Sequence, residues 1–381
     1  MDEKVRSQVE SAAFNILADL CTRSHKGTRA VTSASSFNTA FDRALKLVSP
    51  VAHNLRSIDS EEIADGANRE TEFIKHHEGE KANSDEESRH DSLVEAAYYF
   101  LSATTLAKSM EELLACNETF VKGCFKSAST GSNATIRRSA MGVVAKLCRS
   151  RVENSAISPE KAGELFRQVL VDNKISQGNE SQMNSIQIVA ADGLLHILDE
   201  LSSEQEQSTI EVVAKVYLSV VRQRSLSKSS QIPGDLRSAG ELAFCLVRIL
   251  VLGMRSENAD NFFGSCAVAP LVGTIQWRYD SKTTLDADEI IYWDATTSHA
   301  MQILSLWFEQ GKASGMEENM LGGWQCDLKD HVWMVAGVGK APRKSIDFGG
   351  ALQIACRNGD ASTRLAAARL WNWLTLNASE Q

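Results

Sequence analysis

Apolar residues recur at three- and four-residue intervals over 5–21, 92–116, 134–148, 185–201, 208–221, 236–252, 297–308 and 361–376. Such spacing gathers them on one face of a 3.6-residue turn, so each segment predicts an amphipathic helix. The first of them and a second segment, 36–56, predict an N-terminal helical pair. Strand-like alternation between turn signals is confined to Val268–Trp277, where strand and helix remain open. Ser158-Pro159-Glu160 and Asp360-Ala361-Ser362 carry the polar cap and first-turn chemistry of helix starts. The expectation is an all-α chain.

The helices share a motif: an alanine followed by bulky apolar residues at +3 and +4, and usually at +7. Ala140 leads to Val143, Val144 and Leu147; Ala191 to Leu194, Leu195 and Leu198; Ala239 to Leu242, Ala243 and Leu246. Ala300 leads to Ile303, Leu304 and Trp307, and Ala367 to Leu370, Trp371 and Leu374. Ala97 leads to Phe100 and Leu101 but breaks at Thr104. The anchors lie 43, 51, 48, 61 and 67 residues apart, an irregular period that lengthens toward the C-terminus. A small residue lets two helices approach closely, and a face too broad for one partner is covered by stacking further pairs.

Segments 133–147 and 361–374 resemble the long third helix of an armadillo repeat, and the likeness to the armadillo/HEAT superfamily covers most of 92–376. The resemblance implies a right-handed armadillo/HEAT-like helical solenoid of about six units. The expected organisation is an N-terminal helical pair over 1–57, an acidic insertion over 58–91 and the repeat array over 92–381. Peptide-binding armadillo proteins similar to importin-α carry a Trp after the anchor and an Asn four residues further on. Here the +1 positions are Tyr98, Met141, Asp192, Gly240, Met301 and Ala368, and the +5 positions are Ser102, Ala145, His196, Phe244, Ser305 and Asn372. Only Asn372 matches, so binding of nuclear-localisation peptides is not supported.

The chain has 381 residues, of which 43% are hydrophobic and 23% charged, an ordinary balance that excludes wholesale disorder. The formal charge is −9, and residues 59–91 hold twelve acids against four bases. The remainder is therefore nearly neutral, with no long basic stripe to neutralise phosphates, so no nucleic acid is expected as a partner. The charged start MDEKVRSQVE has no apolar core behind it, and no uncharged stretch is long enough for a membrane span. Eight scattered cysteines without a C-x-x-C pair read as reduced, packed thiols. A cytoplasmic or nuclear location is expected.

Catalytic patterns do not emerge. Gly337-Val-Gly-Lys340 lacks the remaining positions of a phosphate loop, and Asp286, Asp288 and Glu289 are explained by charge at a helix start. His76, His77 and His90 sit among carboxylates at spacings that make no regular ligand set. His196 and His299 fall on helical faces as structural histidines. No cofactor or metal is expected.

The leading expectation is a non-enzymatic scaffold or adaptor that binds other proteins on an extended surface, alone or within a larger complex. All seven tryptophans fall in the last 105 residues, and Trp324 and Trp333 lie in a stretch without regular periodicity. With Tyr98 and Asn372 they are the candidate partner contacts. Ser84 stands directly before Asp85-Glu86-Glu87, while Ser225 and Ser227 each stand three residues after an arginine, Arg222 and Arg224. These three serines are the candidate phosphorylation sites. The alternatives are an armadillo-type chaperone or assembly factor with an apolar groove, and an enzyme with a pocket in 270–345.

Overall fold

The computed structural model describes residues 3–23, 31–32, 36–48, 90–130, 133–153, 155–171, 180–226, 233–254, 268–279, 285, 287–313 and 348–378. Every regular element among these residues is helical. The acidic segment up to Arg89, Ser84, Ser227, Trp324, Trp333 and Gly337–Lys340 lie outside the described residues, as does the side chain of Ser225. No helix among the described residues is long and apolar enough to cross a membrane. The described residues fall into two compact units, Met1–Leu165 and Phe166–Gln381.

The first unit contains α1 (Glu3–Arg23), α2 (Phe37–Val48), α3 (90–104), α4 (Lys108–Cys116), α5 (Glu118–Thr130), α6 (Ala134–Ser150) and most of α7 (Pro159–Val171). The single helix read over 92–116 is two. Thr104 and Thr105 turn their hydroxyls back onto the carbonyls of Leu101 and Ser102, each at 2.7 Å, and the chain bends before α4 begins. Side-chain hydroxyls competing for backbone acceptors break helices in this way. α3 is the centre of the unit. Phe100 stacks on Phe14 of α1 at 5.5 Å and meets the edge of Phe37 of α2 at 6.1 Å. Asn133 caps α6 by accepting from the Thr135 amide at 2.8 Å, and its amide group donates to Asp91 at the start of α3. Arg151 closes α6 in the left-handed region at φ 46°.

The second unit contains α8 (Glu180–Ile197), α9 (Ser203–Leu226), α10 (Pro233–Gly253), α11 (Val268–Tyr279), α12 (Ala287–Ala313), α13 (Phe348–Asn358) and α14 (Ala361–Ala378). Its helices make two rows. α8, α10, α12 and α14 pack side by side in one, α9, α11 and α13 in the other, and α9 lies on α10, α11 on α12, and α13 on α14. The alanine motif belongs to the first row, since Ala191, Ala300 and Ala367 are fully buried on α8, α12 and α14. On α10 the close approach falls one residue later than the motif places it. Ala239 is half-buried while Gly240 is buried, and a Cβ on Gly240 would stand 3.1 Å from Nε1 of Trp293.

Val268–Trp277 is helical. Leu271, Val272 and Ile275 are buried together, which only a helical turn achieves for positions one and four apart. Pro270 sits in the first turn, where its missing N–H costs no ladder bond. The Tyr217 hydroxyl donates to Thr274 at 2.7 Å, and Thr274 donates onward to the Pro270 carbonyl at 2.9 Å, satisfying a buried polar chain between α9 and α11. Both sequence start signals act as caps. The Lys161 amide donates to Ser158 at 3.4 Å and the Thr363 amide to Asp360 at 2.6 Å.

Candidate interaction surface

Five residues after the anchors of α8, α10 and α14 stand His196, Phe244 and Asn372, none of them buried, whereas Ser305 at the same place on α12 is buried. Phe244 is the middle of a cluster contributed by neighbouring helices. The ring of His299 on α12 meets it edge-on at 5.6 Å, Tyr292 lies 6.5 Å away, and the Arg248 guanidinium sits over its face at 5.7 Å. Such ring and cation contacts fix an aromatic at the surface without burying it. The His299 Nδ1 donates to the Ala295 carbonyl at 2.8 Å, which fixes the orientation of the ring.

On the α8 side, Nε2 of His196 stands 3.7 Å from Asp192. Asp192 also lies close enough to Cys245 of α10 to act on its thiol. Burial first, then the charges of Asp192 and Glu241, push Cys245 up to about 11, while Arg248 pulls the other way. Burial likewise raises Cys21, Cys124 and Cys356. A thiol held protonated is a poor nucleophile and a poor metal ligand, so these cysteines act as packing groups. The described residues contain no cluster of three or more His, Cys, Asp or Glu arranged to hold a metal ion.

Tyr98 is corrected from contact candidate to core residue. It is fully buried on α3, and its hydroxyl donates to Ser127 of α5 at 2.9 Å. A ring enclosed on every side offers a partner nothing. Asn372 is exposed on α14, where a contact role remains open to it.

Arg224 is a second correction. As a kinase determinant it would have to be accessible, but its side chain is 8% exposed and forms a forked ion pair with Glu289 of α12, at 2.7 and 3.1 Å. Arg224 also lies 5.6 Å from the ring of Trp277, which meets Trp293 edge-on at 4.7 Å. Glu289 is thus an interior anchor between α9 and α12 rather than a helix-start charge. The sequence carried a signal for this: Arg224 continues the buried face of Val213, Tyr217 and Val220, and Glu289 stands one turn before Trp293. The Phe244 cluster had no such signal, since Phe244, Tyr292 and His299 meet only when α10 and α12 lie side by side.

The sequence matches no protein-family model and no curated protein.

Proposed function

We propose that this chain is a non-enzymatic scaffold or adaptor that binds other proteins along a right-handed armadillo/HEAT-type solenoid. The alternating rows of the second unit support HEAT-like pairing, because each helix of one row rests on a helix of the other and on its row neighbours. One observation carries the binding role: the partly exposed ring of Phe244, held by Tyr292, His299 and Arg248 on packed helices. Recognition by groups already fixed loses little conformational entropy on binding, and a rigid aromatic beside charged groups is the usual centre of a contact surface. Asn372 adds a second exposed side chain two helices further along the row. In this reading the protein works in the cytoplasm or nucleus, with proteins rather than nucleic acid as partners.

The test compares the tagged chain with a Phe244→Ser/Asn372→Ala variant by quantitative affinity purification. One or two partners at near-equimolar yield, lost from the variant while its circular dichroism still shows the folded helical protein, is the expected result. Equal recovery of every partner by both proteins would remove the row surface from the reading. No partner at all would overturn the scaffold and turn attention to small molecules at residues 270–345.

A further inference from the structure

Helix α1 has two apolar faces. One is accounted for within the first unit: Phe14, Ala18 and Cys21 are buried, and Phe14 stacks on Phe100. The other faces solvent. Val5, Val9, Ile16 and Leu20 are 44%, 55%, 61% and 43% exposed, and Ala12 and Ala13 lie exposed between them. At about 100° per residue these six positions fall within an arc of about 100°, so they form one stripe along the helix. No charged residue interrupts it. A continuous apolar stripe on an exposed helix is the signature of an interaction surface.

The order of residues within the stripe specifies the occupant. Measured from the midpoint between Ala12 and Ala13, Val5 and Leu20 are equally far out, and so are Val9 and Ile16. The stripe reads the same from both ends, bulky–bulky–small–small–bulky–bulky. Turned end for end, the stripe sets its small residues against each other at the centre and its bulky residues against each other on both sides, a pairing that an isologous two-fold contact can use. In an antiparallel pair Val5 meets Leu20 of the second copy, Val9 meets Ile16, and the alanines meet at the dyad. Small residues at the crossing allow the axes to approach to about 8 Å. Antiparallel pairing also sets opposite ends of the two helix dipoles together. The carboxylates beside the stripe have partners within their own chain. Glu10 is held by Arg6 at 3.2 Å and Arg43 at 3.1 Å, and Asp19 accepts from the Tyr99 hydroxyl at 2.9 Å.

We infer that α1 pairs two copies of this chain, antiparallel, about a two-fold axis between Ala12 and Ala13. A single helix pair buries less than the 1,200–2,000 Å² or so of a standard stable interface, so the association is a reversible one in the micromolar range.

Two measurements on the full chain test it. In sedimentation velocity from about 1 to 100 μM, the weight-average mass rises toward that of a dimer, and Val9→Asp/Ile16→Asp weakens association at least about tenfold, the smallest change expected when charge enters an apolar contact. At a concentration where sedimentation shows both proteins monomeric, the variant keeps the parent's melting temperature, because both positions face solvent. In a Cys116→Ser background, Ala12→Cys forms a disulfide with its own copy. Val5→Cys alone does not, since its two sulfurs lie about 22 Å apart along the axis. Val5→Cys mixed with Leu20→Cys does. A chain that stays monomeric throughout overturns the inference, as does a dimer insensitive to Val9→Asp/Ile16→Asp. Self-linking of Val5→Cys would mean parallel pairing and overturns the geometry. A fall in melting temperature of the variant at a concentration where the parent too is monomeric would mean that the chain itself covers the stripe, and overturns it as well.

Discussion

Two glycines on helices of similar type behave oppositely at the level of single atoms. A Cβ added at Gly193 of α8 would clash with three ring carbons of Phe166, which is itself fully buried. Gly193→Ala is therefore expected to lower stability by about 1–3 kcal/mol through overpacking, more than the helix propensity it gains. A Cβ at Gly142 of α6 would meet nothing within 4 Å. Gly142→Ala is expected to raise stability by about 0.5–1 kcal/mol, and urea titration of both variants reads the two signs side by side. Cys245 supplies a test of local charge. Its thiol titrates near 11, so pH-dependent alkylation followed by mass spectrometry should find it unreacted at pH 8, where exposed Cys116 is modified. Asp192→Asn removes a carboxylate that disfavours the thiolate, and moves the alkylation midpoint of Cys245 to lower pH. An unmoved midpoint would mean that Asp192 has no part in it and that burial and Glu241 hold the thiol up.

Between elements, the Arg224–Glu289 pair ties α9 to α12 through the interior. Glu289→Leu leaves a buried guanidinium without its counter-charge, and about 3–5 kcal/mol of stability should be lost. Replacing the partner too, as Arg224→Met/Glu289→Leu, removes the stranded charge and should recover most of that loss in chemical denaturation. This pair also marks how far helical periodicity reads. The boundaries of α6 and α14 and the buried anchors Ala140, Ala191, Ala300 and Ala367 follow from three- and four-residue spacing, because burial of one stripe leaves a trace in the order of residues. α5 and α13 are shorter, and glycine dilutes their patterns, so periodicity alone did not single them out. Arg224 looked like a surface signal because charge outweighs position when a residue is read alone. Its place in the Tyr217 stripe says the opposite. Phe244, Tyr292 and His299 come from two helices, and nothing along the chain announces which helices will be neighbours.

Over the whole chain, the described residues divide at Leu165 and Phe166, and interior changes should stay within their own unit. In Glu289→Leu, amide hydrogen exchange is expected to quicken across α9–α12 while α3–α6 keep their protection, since opening spreads through contiguous packed elements. Equal acceleration in both units would mean that they open as one. The distribution of tryptophan adds an optical consequence. All seven indoles lie at or beyond Trp277, within the second unit, and the first unit has none. Intrinsic emission excited at the red edge is thus blind to half of this molecule, whereas circular dichroism at 222 nm sees every helix. Two denaturation curves taken from one cuvette will superimpose only if both units melt together, and any gap between them is the private unfolding of α1–α6.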